Sequence, residues 1–139
     1  MIRRFASLAF VSLIACAGST ETSPVAPSFA GTWNLQTVDG VNLPYLTQGS
    51  GANKIELVSE QGTITSSAFT LLSNYRITNN GAVSTQSQSS TGTYTLSGST
   101  ATFRDNADAS MATGTVSGNS LIVTGTSGGV SHSKGFTRQ

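Results

Sequence analysis

The feature that most constrains this chain is an apolar period of two that recurs along residues 29 to 139 and is interrupted by glycine and asparagine. Trp33 and Leu35 alternate with Thr32, Asn34 and Gln36, and Val41, Leu43 and Tyr45 follow across Asp39-Gly40. Ile55 and Leu57 alternate with Lys54, Glu56 and, less cleanly past Val58, Glu60. Phe69, Leu71, Tyr75 and Ile77 share one face of a longer segment whose other face carries Thr70, Leu72, Asn74, Arg76 and Thr78. Tyr94 with Leu96, Ala101 with Phe103, and Leu121 with Val123 continue the pattern. Successive side chains of a strand point to opposite faces, so each segment has one face for a core and one for water. Helical spacing of apolar residues is sustained nowhere, and the chain reads as all-β.

The interruptions fall between these runs, at Asp39-Gly40, Gln61-Gly62, Asn79-Asn80-Gly81, Ser97-Gly98, Ser117-Gly118-Asn119 and Ser127-Gly128-Gly129. Gly and Asn supply the positive φ that tight hairpin turns need. The similar pieces GTYTLSGSTATF (92–103) and GTVSGNSLIV (114–123) read as successive hairpins of one meander. Ser84 to Thr91 is wholly polar and reads as an edge, a rim or a mobile loop. About eight to ten short strands joined this way leave two open edges, and closing into an antiparallel up-and-down barrel removes them. A two-sheet sandwich satisfies the same alternation.

The first residues carry a different message. Arg3 and Arg4 precede an uncharged run from Phe5 to Ile14, and then come Ala15 and Cys16, the single cysteine. A positive start, a short apolar centre and small residues after it form the layout of an export signal. As a helix the run spans about 15 Å, half a hydrocarbon core, so it is too short to stay as a membrane span. Two cleavage readings are open. Ala15-Cys16-Ala17 is an A-x-A pattern that would release a soluble, secreted protein. Leu13-Ile14-Ala15-Cys16 resembles the bacterial lipobox, and that resemblance implies cleavage after residue 15 and a diacylglyceryl group on Cys16. Two or more acyl chains anchor stably where one does not, at about 0.8 kcal/mol per buried CH2. Residues 17 to 28 (AGSTETSPVAPS) are small, polar and punctuated by proline, a tether of up to about 40 Å. The expected layout is a signal peptide over 1–15, a lipidated cysteine and tether over 16–28, and a barrel domain over 29–139. Ala17 stands where an inner-membrane retention Asp would, which points to the outer membrane in a Gram-negative host.

Without its first 15 residues the chain keeps Lys54, Arg76, Arg104, Lys134 and Arg138 against six acidic side chains. It therefore lacks the basic footprint of a nucleic-acid binder.

Gly31-Thr32-Trp33, at the start of the first strand, resembles the G-x-W signature of the lipocalin and fatty-acid-binding barrels. Residues 29 to 139 as a whole look like a bacterial lipocalin-like domain. The resemblance implies that Trp33 plugs the closed end and that a basic residue of the last strand covers its ring. Arg138 is the candidate, since Val130, His132, Lys134, Phe136 and Arg138 share one parity. Leu35, Tyr45, Leu57, Phe69, Tyr75, Tyr94 and Phe103 would then line the lumen. His132 and Lys134 would add polar groups to it, and such a cup suits a small hydrophobic or amphipathic ligand. The competing expectation is an interaction protein of the envelope whose core is filled by those same side chains.

Motifs for catalysis are weak. Gly125 to Gly129 (GTSGG) fits the letters G-x-S-x-G, but a strand follows and no acid lies beyond it, so it reads as a hairpin turn. One histidine and one committed cysteine do not make a zinc site. Asp105, Asn106 and Asp108 lack the glycine and closing glutamate of a calcium loop. The expectation is a protein without enzymatic activity, cofactor or metal.

Overall fold

The computed structural model describes residues 28–139. The expected signal peptide, Cys16 and all of the expected tether except Ser28 lie outside the described residues. Ten strands follow in order: β1 (Gly31–Val38), β2 (Val41–Asn42), β3 (Tyr45–Ser50), β4 (Asn53–Ile64), β5 (Ala68–Asn79), β6 (Ala82–Ser97), β7 (Thr100–Asp105), β8 (Met111–Ser117), β9 (Ser120–Ser127) and β10 (Val130–Arg138).

From β3 to β10 each strand pairs antiparallel with the next, and β10 returns to β1. Residues Gly31 to Asn34 of β1 then pair with Gln61 to Ile64 of β4, which closes the sheet. Eight strands, β1 and β4 to β10, circle the interior, and a sandwich is thereby excluded. Beyond Asn34 the two seam strands part. The short β2 continues on Thr37 and Val38, and β3 continues on the Asn53 to Leu57 half of β4.

Two expectations change. Gln61-Gly62 is no turn but lies within β4, near its end, and the chain reverses after Ile64, where Thr65 and Ala68 exchange hydrogen bonds. Gly62 faces inward at the seam, where an added Cβ would sit 3.1 Å from Leu71 and 3.9 Å from the Trp33 carbonyl. Close approach of β1, β4 and β5 therefore accounts for that glycine.

Glu60, expected on the water face, points inward. The β4–β5 register slips between Leu57 and Ser59, so Val58 is an extra residue. A bulge of one residue reverses the parity of everything after it. Leu57 faces in before it, and Glu60, Gly62 and Ile64 face in after it.

Ser84 to Thr91 is an exposed strand edge with little core contact, as its polarity suggested, and not a loop. It belongs to the 16-residue β6, which pairs with β5 from Ala82 to Thr93 and with β7 only from Gly92 onward. Leu96 and Val41 lie on core parity yet are exposed, being at strand ends past the packed interior.

The packed core occupies one end of the barrel. Trp33 and Phe29 are fully enclosed, with Tyr94, Phe103 and Phe69 around them. Phe103 is 5.5 Å from both Tyr94 and Phe69, edge-on to the latter. Rings fit this closely because the strands beside them carry glycine: a Cβ on Gly92 would overlap the Phe69 ring, and one on Gly114 would fall 2.7 Å from Phe103.

Candidate functional site

Above this plug the barrel is hollow. A cavity of about 500 Å³ extends from Trp33 and Phe136 to the exposed side chains of Thr47, Met111, Thr126 and Ser127. Leu57, Ile64, Phe69, Leu71, Phe103 and Val123 form much of its apolar wall.

Of the residues expected to meet a ligand, Tyr45, Phe69, Tyr75, Phe103, His132 and Lys134 line the cavity. Tyr94 does not. It is buried in the plug, and its hydroxyl donates to the Thr65 carbonyl at 2.8 Å. Leu35 is likewise core rather than cavity wall.

At the closed end the Trp33 indole N–H donates to the Phe29 carbonyl at 2.8 Å, so the buried ring leaves no polar atom unpaired. The Arg138 guanidinium lies 4.2 Å from the Trp33 ring centroid and donates to the carbonyls of Ser28 and Ala30. Gly31 has φ 139°, and an added Cβ would meet that guanidinium at 2.7 Å. Gly31, Trp33 and Arg138 thus form one closure unit, fastening the entry of β1 to the end of β10.

Two polar clusters serve the cavity. The deeper one centres on Glu60, whose side chain is only 2% exposed. The Lys134 ammonium donates to both of its oxygens at 2.8 Å, and Ser73 donates to one of them at 2.7 Å. A buried carboxylate must be paired in this way, because an uncompensated one loses its hydration for nothing. The second cluster is half-exposed. Asp39, in the turn after β1, accepts from the Ser133 backbone N–H at 2.7 Å and from the Tyr45 hydroxyl at 3.2 Å, and its Oδ2 lies 2.7 Å from His132 Nδ1. The Ser133 N–H and then His132 hold the Asp39 carboxyl below the usual carboxylate range. Partial burial and the bond to Asp39 push the Tyr45 phenol up.

Glu60, Ser73, Asp39 and Phe29 were not among the expected site residues. The adjacent apolar pair Leu57-Val58 was a signal for the bulge that turns Glu60 inward. Asp39 had none, since it reads as a turn residue and its partner His132 lies 93 positions away.

Ser127 lies at the end of β9, and Gly128 and Gly129, at φ 58° and 80°, turn the chain into β10. In the Asp105 to Asp108 turn each carboxylate accepts a backbone N–H two residues on, from Ala107 and Ser110. No group of three or more His, Cys, Asp or Glu side chains is placed to hold a metal among the described residues.

A closed antiparallel barrel, plugged by an aromatic cluster at one end and hollow above it, has lipocalin-like architecture. No protein-family model matches the sequence, and no curated protein matches it. Among solved structures, similarity is found to a point mutant of the fluorescent protein UnaG, at 14% identity and a TM-score of 0.41, over 80% of this chain and 96% of that one. The class stated here rests on the strand pairing and the cavity.

Proposed function

We propose that this chain is an exported lipoprotein of the bacterial envelope, tethered through an acylated Cys16, whose barrel holds a small hydrophobic or amphipathic molecule without transforming it. The observation that carries the binding role is the cavity. Its volume of about 500 Å³ lies within the roughly 300 to 1,000 Å³ typical of ligand sites, and its apolar wall carries a few convergent polar groups. An interaction protein with a filled core has no use for that space. The anchoring role is supported by the charged start, the apolar run and the lipobox-like Leu13 to Cys16. In a Gram-negative host the destination is the outer membrane.

Native mass spectrometry of protein purified from its host tests the binding role, and a reproducible lipid-like adduct is the expected result. Protein that emerges empty and also excludes an uncharged apolar dye would reject it. Replacing Cys16 with Ser is expected to move the protein from membrane to soluble fractions. An intact mass of the native chain without an acyl increment would rule out the anchor.

A further inference from the structure

We infer, taking the binding reading above as given, that the cavity selects its ligand by charge: it accepts an amphiphile with a cationic head and rejects one that ends in a carboxylate. The five Lys and Arg side chains of the described residues are all accounted for. Lys54 and Arg76 pair with Glu56 on the outer face of β4 and β5. Arg104 is exposed on the outer parity of β7, and Arg138 lies at the plugged end over Trp33. Only Lys134 reaches the cavity, and both Glu60 oxygens already hold its ammonium. His132, nearer the mouth, is engaged with Asp39.

The remaining charge facing the interior is negative. Asp105 follows Ala101 and Phe103 on the inward parity of β7 and lines the cavity. One of its oxygens accepts the Ala107 N–H, and the other has no partner among the described residues. Around it opens a polar bay of about 400 Å³ that is continuous with the apolar cavity through Glu60, Tyr75, Asp105, Ser110 and Lys134, and that adds Ser73, Gln88 and Ser90. The bay is reachable because β6 has no neighbour on that side before Gly92.

Glu60 and Lys134 cancel, which leaves Asp105 to set the sign. A carboxylate head entering here would shed water beside a like charge with no free cation to receive it. An ammonium head would gain the Asp105 carboxylate, beside which Tyr75 also lines the bay.

The test is displacement of N-phenylnaphthylamine, an uncharged probe, from the full-length protein at neutral pH by decyltrimethylammonium, decanol and decanoate. The expected order places the ammonium first and decanoate last, with their Kd values at least about tenfold apart. Asp105→Asn, which keeps an oxygen for the Ala107 N–H, is expected to narrow the preference for the ammonium over decanol by about threefold to fivefold. Glu60→Gln frees Lys134 and is expected to move decanoate ahead of the ammonium. Decanoate or decanol binding the native protein as tightly as the ammonium would overturn the charge preference. A probe that never enters would instead reject the binding role beneath it.

Discussion

At the plugged end, Phe29, Trp33, Tyr94 and Phe103 form a buried cluster whose two polar atoms, an indole nitrogen and a phenol oxygen, are each satisfied by a backbone carbonyl. In the hollow half, strands of the same barrel present Glu60, Lys134, Ser73 and Tyr75 to an interior that side chains do not fill. The contrast separates two tasks within one sheet. Aromatic burial at one end stabilises the barrel enough for the other end to hold space and paired charges, neither of which adds stability of its own.

Five variants would break or sharpen that contrast. Trp33→Ala is expected to lower stability by about 3 to 5 kcal/mol in denaturant titration, since it removes the largest enclosed ring. A loss below about 1 kcal/mol would mean that the plug is not what holds the barrel. Lys134→Met leaves Glu60 with Ser73 as its remaining partner and is expected to cost about 1 to 3 kcal/mol, discounted because Lys134 is one-third exposed. The double variant Glu60→Gln/Lys134→Met should recover most of that loss, and failure to do so would show that the pair itself adds net stability. Arg138→Met deletes the contact over Trp33 and is expected to cost about 0.5 to 2 kcal/mol, seen as a lower thermal midpoint.

The smallest effect concerns pH. Asp39 titrates lower in the folded protein than in the unfolded chain, so its contribution is complete above the ordinary carboxylate pKa. It fades as pH falls from there through the depressed folded value. Asp39→Asn should therefore flatten the acid side of the stability profile by lowering its neutral plateau, and leave stability at low pH, where Asp39 is already protonated, nearly unchanged. An acid limb identical in the two proteins would remove Asp39 from the account.

Much of the barrel was legible because strand alternation and glycine turns are local: Trp33, Leu35, Phe69, Phe103 and Phe136 all face the interior from the parity of their own segments. The site was legible in part. Lys134 and His132 share the parity of Phe136, whereas Glu60 was hidden by a bulge and Asp39 by a turn. Tyr94 shows the opposite failure, since parity placed it inside without distinguishing plug from cavity.

By itself, then, the sequence determined that this chain forms an antiparallel β-domain with inward aromatics and hairpin turns, because side-chain alternation and backbone φ preferences act over a few residues. Only the tertiary structure decided that the sheet closes between β1 and β4, that Glu60 finds Lys134 across the interior, and that the rings gather at one end and leave the other hollow. Those outcomes depend on register and on how side chains from distant strands share one volume, and a period of two carries no information about either.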